Sequence, residues 1–113
     1  MTWTTITKYE RPNTGVPWYS AAGSRGVLNE LSPLNNGDWQ HVKNNYIDNS
    51  KRVSATITVT GNDLIQCKTF VYRDEAAYEE YRTDSRTVAY RNAMETYNAA
   101  NGIRQISRTS SAT

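Results

Sequence analysis

The sequence holds one cysteine, one histidine, one phenylalanine and three prolines in 113 residues. A lone Cys67 cannot close a disulfide within the chain, and a reducing compartment is therefore permitted. Without a CxxC or a Cys/His cluster there is no ligand spacing for a structural metal, so no metal and no cofactor are expected. A single His41 also removes most general-base constellations, and no carboxylate dyad or Ser-His-Asp set can be picked out. We therefore expect no catalytic residues. Charge of one sign is missing too. Thirteen basic and eleven acidic residues leave a net charge of +2, too little to argue for nucleic acid as a partner. No window approaches the roughly 18 apolar residues that a membrane helix needs. The opening "MTWTTITKYE" has no apolar run after a basic start, so neither a signal peptide nor a membrane association is expected.

What the chain does have is tyrosine. Eight tyrosines and three tryptophans stand against one phenylalanine, and only 37% of residues are apolar. A core built this way uses aromatics whose polar tips need partners or water. So polar a chain is short of apolar surface to bury alone, which favours self-association.

Residues 2–10 alternate, with Trp3, Thr5, Thr7 and Tyr9 on one face, and predict a strand. "RPNTGVP" (11–17) reads as a loop. Val27, Leu28, Leu31 and Leu34 have helical spacing, but Pro33 and the following "NNGD" limit that helix to about two turns. Asp38 is a plausible N-cap for a second short helix with Trp39, Val42 and Tyr46 in one stripe. Two strands then meet near Gly61, with Val53, Ala55, Ile57 and Val59 alternating in the first. In the second, Ile65, Cys67, Thr69 and Val71 alternate with Gln66, Lys68, Phe70 and Tyr72. A two-residue turn would set Ile57 opposite Gln66 and mix the faces. A three-residue Gly61-Asn62-Asp63 turn pairs Val59 with Ile65, Ile57 with Cys67 and Val53 with Val71, and is preferred.

The stretch "RDEAAYEEYRTDSRTVAYRNAMETYNAANGI" (73–103) reads as helix, break, helix, stop. Asp74 caps the first helix, with Ala77, Tyr78 and Tyr81 inward, and Asp84 or Ser85 caps the second. Tyr90, Ala93, Met94 and Tyr97 form the second helix's stripe. Gly102 is the expected left-handed stop, with Ile103 packing back. A short strand "IRQIS" follows, then a Ser/Thr tail expected to fray from about residue 108.

The order strand, helical segment, strand, strand, helix, strand predicts one domain over residues 1–113. Its class is α+β, a ferredoxin-like βαββαβ unit with an antiparallel sheet and helices on one face. With the preferred turn, the helices cover the Val53, Ile57, Ile65 and Val71 face, which also carries Cys67. The face of Thr56, Thr58, Leu64, Gln66, Lys68, Phe70 and Tyr72 is left open. Cys67 reads as a small buried hydrophobe, and His41 as a solvated surface residue. Arg73, Arg82, Arg86 and Arg91 are interleaved with acids at spacings that suit a salt-bridged, solvated helix face.

The unit "LIQCKTFVYRDEAAYEEYRTD" (64–84) resembles the third strand and following helix of dimeric α+β barrel proteins of the antibiotic-biosynthesis-monooxygenase type. The matching positions are Phe70, Asp74, Glu75, Ala76, Ala77 and Tyr78. The ends "TWTTITKYERPNTGVPWY" and "AYRNAMETYNAANGI" are similar to short uncharacterised proteins of marine phages and marine environmental sequences. Two functional expectations follow. The leading one is a non-catalytic, self-associating domain, an accessory or structural subunit of phage origin in the host cytoplasm or the virion. Two copies would pair through the open face bearing Phe70 and Tyr72. The other, implied by the barrel resemblance, is a small-molecule-binding protein or cofactor-free enzyme. Its pocket is lined by Thr58, Gln66, Lys68, Phe70 and Tyr72, with His41 at the mouth.

Overall fold

The computed structural model describes residues 1–19 and 40–113. In chain order these form β1 (Trp3–Glu10), a π-helical turn (Lys43–Ile47), β2 (Arg52–Thr60) and β3 (Ile65–Tyr72). Then come α1 (Glu75–Thr83), α2 (Ser85–Ala100) and β4 (Arg104–Ala112). The strands lie in the order β2-β3-β1-β4 and every neighbouring pair is antiparallel. That is the ferredoxin-like order, in which β1 sits between β3 and β4 and splits the α-helical crossover that joins them. The short helix expected around Val27–Leu34, the Asp38 cap and Trp39 lie outside the described residues.

Local chemistry explains most element boundaries. Asp74 is extended at φ −162° and its carboxylate accepts from the Ala77 N–H at 2.8 Å, starting α1. Asp84 does the same for α2 through the Arg86 N–H at 2.8 Å. Gly102 stops α2 at φ 71°, in the left-handed region that penalises a Cβ. Ile103 then donates back to the Asn98 carbonyl at 2.9 Å and is buried. On β1 the alternation holds, with Thr5, Thr7 and Tyr9 buried under the helices and Lys8 exposed.

The core is largely tyrosine. Tyr46, Tyr72, Tyr78 and Tyr81 cluster with Val42, and Trp3, Ile47, Phe70 and Tyr90 pack against them. Tyr46 meets Tyr81 edge-on at 5.2 Å, and Tyr72 meets Tyr78 at 5.2 Å and 64°. Such tilted pairs suit the ring quadrupoles and contribute beyond the area they bury.

Three expectations need correction. The β2–β3 turn has four residues, not three, so Thr60 pairs with Ile65, Thr58 with Cys67 and Ile57 with Lys68. Gly61, Asn62 and Asp63 all take positive φ, and the Leu64 carbonyl accepts from the Arg11 N–H at 3.0 Å, which draws Leu64 out of the β2 ladder. The slip exchanges the faces of one strand relative to the other. Val53 falls in a register irregularity between Arg52 and Ser54 and is exposed.

The second concerns which face of the sheet is covered. Helices cover the face that carries Gln66, Lys68, Phe70 and Tyr72, not the face of Ile65, Cys67 and Val71. Tyr72 is 1% exposed. The pairing surface expected at Phe70 and Tyr72 is therefore interior, and Thr58, opposite Cys67, points away from it.

The third concerns the tail. Residues 104–112 do not fray but pair with β1 along its length, and the Thr113 N–H donates to the Thr2 carbonyl at 2.9 Å. Every side chain of β4 is exposed, so no apolar pattern marks it. The backbone ladder holds it, together with side-chain bonds from Trp3 to Ser110, Arg104 to Glu10 and Arg108 to Tyr78.

Candidate functional site

Between the sheet and the helices lies a cavity of about 330 Å³, at the lower end of the range typical of small-molecule sites. Strand register sets its floor in rows. Ile57, Lys68, Thr7 and Arg108 form one row across all four strands, and Ala55, Phe70, Thr5 and Ser110 form the next. The short Thr5 and Thr7 side chains leave the middle of the floor low. From above, Tyr78 and Tyr81 of α1 and Tyr90, Arg91 and Met94 of α2 close the space, with Tyr9, Tyr19 and Ile47 at its sides. This explains why the Tyr90/Met94 stripe of α2 is only half-buried: it faces a cavity.

The lining is cationic. Among the described residues Arg52, Lys68, Arg91 and Arg108 contribute to it, and no aspartate or glutamate does. None of the four has an ion-pair partner among the described residues. Instead the Arg52 guanidinium lies 4.6 Å from the Phe70 ring, and Arg91 lies 5.6 Å from that of Tyr81. Arg91 also donates to the Arg82 carbonyl at 2.7 Å. Arg108, exposed at the rim, donates to the Tyr78 hydroxyl at 2.8 Å.

Lys68 is the unusual member. Its Nζ donates to Met94 Sδ at 3.2 Å and lies 5.3 Å from the Tyr9 ring centre. Burial, reinforced by the nearby Arg52, lowers its pKa to about 8. The phenols shift the other way. Burial raises Tyr9, Tyr72, Tyr81 and Tyr90 above the ordinary tyrosine value. They are protonated hydrogen-bond donors at neutral pH and cancel none of the positive charge.

The structure thus gathers Gln66, Lys68, Phe70 and Tyr72 in one place, under the helices, and leaves Thr58 and His41 out of it. His41 is not a free surface histidine. Its Nε2 lies 2.6 Å from Asp84 Oδ2, and Asn45 Nδ2 approaches its Nδ1 at 3.2 Å. Asp84 also accepts from the Tyr46 hydroxyl at 2.7 Å. Burial alone would raise the Asp84 carboxyl, but hydrogen bonds from His41, Tyr46 and the Arg86 backbone outweigh it and hold the group down to about 2. With both ring nitrogens engaged, the network knits the π-helical turn to the α1–α2 corner.

Arg52, Arg91 and Arg108 are not marked as site residues by any sequence pattern. Arg73 and Arg82 do form exposed ion pairs with Asp74 and Glu79, as the interleaved charges suggest, but Arg91 turns into the cavity. Its spacing one residue from Tyr90 and three from Met94 is the available signal. Among the described residues no three His, Cys, Asp or Glu side chains converge as a metal site. No described helix is long and apolar enough to cross a membrane.

No family model matches the sequence, and no curated protein matches it. Among solved structures, the chain is similar to Rv0793 from Mycobacterium tuberculosis at 12% identity, with 98% of this chain and 94% of that one covered and a TM-score of 0.48. The chain's own strand order and the placement of its helices define an α+β, ferredoxin-like fold.

Proposed function

We propose that this chain is a small-molecule-binding protein whose cavity takes an anionic molecule with an aromatic or similarly flat apolar body. The observation that carries this reading is Lys68, a half-buried ammonium lining the cavity with no carboxylate near it among the described residues. An uncompensated buried cation is costly, and a bound anion would supply the missing charge. Protonated Tyr9 and Tyr72 offer donors to the same anion, and the tyrosine rings with Phe70 form flat apolar walls. Calorimetric titration with benzoate, benzamide and benzylamine, and with two-ring counterparts, tests the charge preference. The anions should bind, the amines should not, and Arg108→Gln should weaken the anions by about tenfold. Equal binding of amine and carboxylate, or no binding of any carboxylate, would overturn it. Turnover of such a ligand without a cofactor is the enzymatic form of the same reading.

Self-association is the second reading, now through the helix-free sheet face. Ile6, Ile65 and Val71 lie there by register beside Thr56, Thr58 and Thr69, half-buried where no described helix covers them. Light scattering at micromolar concentration should report a dimer that Val71→Asp converts to monomer. A monomeric wild type would remove this reading and leave the cavity untouched.

A further inference from the structure

The cavity holds three arginines and one lysine, and that difference has chemical content. A guanidinium stays charged in any protein, whereas an ammonium can give up a proton and become a nucleophile. For anion binding alone a fourth arginine would serve better, since its planar fork meets a carboxylate with two bonds.

The surroundings of Lys68 suit the amine as well as the ammonium. Its hydrogen-bond partner is the Met94 sulfur at 3.2 Å, and its other polar neighbour is the face of the Tyr9 ring at 5.3 Å. Neither carries a formal negative charge that would lock the proton on. Desolvation and a neighbouring cation are the two standard means of activating a lysine, and here both act, through burial and through Arg52. Among the described residues the other charged groups around the space are Arg91 from α2 and Arg108 from β4. Glu95, also on α2, acts on Tyr9 from outside the lining.

The second element is placement. Lys68 and Arg108 share a row of the sheet with Thr7 between them. Neighbouring strands lie about 4.8 Å apart, so the two Cα atoms are roughly 10 Å apart. Lys68 stands inside the cavity and Arg108 at its rim, with only a threonine beneath the space between. That span matches a molecule with one reactive end and one anionic end.

We infer that Lys68 forms an imine with the carbonyl of an oxo acid, an aldehyde or ketone whose carboxylate is held at the rim by Arg108. This rests on the anion-binding reading of the same cavity. In the step, the neutral Nζ lone pair attacks the carbonyl carbon, forming the C–N bond while the C=O π pair moves to oxygen. A proton passes from nitrogen to that oxygen, giving a carbinolamine. A further proton lets the oxygen leave as water while the nitrogen lone pair closes the C=N bond. Counted from the ammonium, one carbonyl is consumed and one water released, and the iminium keeps the positive charge. Protonated Tyr9 and Tyr72, which line the same cavity, are phenol donors for the developing alkoxide.

The test is reductive trapping on the intact chain. The protein is incubated with para-carboxybenzaldehyde and sodium cyanoborohydride at mildly alkaline pH, and the reduced adduct is located by peptide mass mapping. One adduct at Lys68 is expected, formed about tenfold faster than with unsubstituted benzaldehyde because Arg108 holds the carboxylate. Lys68→Arg and Lys68→Met should remove it, their folding checked by thermal melts. Labelling spread evenly over Lys8, Lys43, Lys51 and Lys68, or unchanged in the Lys68 variants, would overturn the inference. Calorimetric binding of benzoate without any Lys68 adduct would overturn imine formation while leaving the anion site standing. Absence of both would overturn the two together.

Discussion

Lys68→Met should stabilise the fold at neutral pH while abolishing anion binding. The Lys68 ammonium titrates at about 8 rather than its usual 10.5, and each tenfold loss of proton affinity corresponds to about 1.4 kcal/mol. Below pH 8 the group is charged in both folded and unfolded chains, and the folded state bears the whole penalty, on the order of 3 kcal/mol. Between pH 8 and 10.5 the unfolded chain binds the proton and the folded chain does not, so stability rises with pH there. Methionine has similar length and volume and would sit against Met94 without any ionic demand. Loss of the contact over Tyr9 takes back part of the gain, leaving about 2 kcal/mol at pH 7. Tyrosines complicate the alkaline side. Burial raises the pKa of Tyr9, Tyr72, Tyr81 and Tyr90, so their contribution is present below pH 10 and fades above it. The difference between wild type and Lys68→Met cancels that common loss. Urea unfolding at a series of pH values should show the variant ahead at pH 7 and the gap narrowing from pH 8 upward. A variant less stable than wild type at pH 7 would mean that the ammonium is well compensated in the free protein. The combination expected, more stability and less binding, is the usual mark of a residue kept for function at a cost to the fold.

Much of the fold is legible in the sequence because its signals are local. The alternation of β1, the Asp74 and Asp84 caps and the positive φ of Gly102 each depend on a few neighbouring residues, and each appears where the sequence places it. The register of β2 against β3 is not legible, and the reason is physical. Parity brings Ile57, Ile65, Cys67 and Val71 together under the helices only if the covered face is the apolar one. Here the covered face encloses a cavity, so Gln66 and Lys68 lie inside while Ile65 and Val71 lie on the helix-free side. Rules that sort apolar from polar fail where the interior is itself a polar site. Gln66, Lys68, Phe70 and Tyr72 therefore read in the sequence as an open face and occur instead as the wall of a pocket. Thr58 is carried along by the same parity and leaves with it. The arginines come from β2, α2 and β4, and no spacing within one chain announces that three elements will converge. His41 finds its carboxylate at Asp84, 43 positions away, beyond the single turn over which a sequence pattern speaks.

Asp84→Ala should destabilise the protein by about 3 kcal/mol, because one carboxylate serves three structural purposes. Its Oδ1 accepts the Arg86 N–H at 2.8 Å and starts α2, a cap worth about 1 kcal/mol. Its Oδ2 accepts the hydroxyl of Tyr46, a residue only 1% exposed. Without it that hydroxyl keeps only a long 3.3 Å approach to the Glu80 carbonyl, and an unsatisfied buried donor costs about 1–3 kcal/mol. The same oxygen lies 2.6 Å from His41 Nε2, a half-buried pair contributing about 1 kcal/mol or less. These contributions overlap, because Tyr46 and His41 share a single acceptor, so their sum is an upper bound. Asp84→Asn keeps one acceptor oxygen, enough for the cap, and turns an amide N–H towards the Tyr46 hydroxyl, which can accept it; it should cost roughly half as much, as should Tyr46→Phe. The pH dependence separates charge from shape. A carboxyl held down to about 2 stabilises the folded chain above pH 4, and that contribution is lost as pH falls through 4 towards 2. Wild type should therefore lose on the order of 1–2 kcal/mol more than Asp84→Asn over that interval in acid denaturation. If Asp84→Ala melts within a degree or two of wild type, or if the two acid profiles run parallel, the corner between the π-helical turn and α2 is held by something other than this carboxylate.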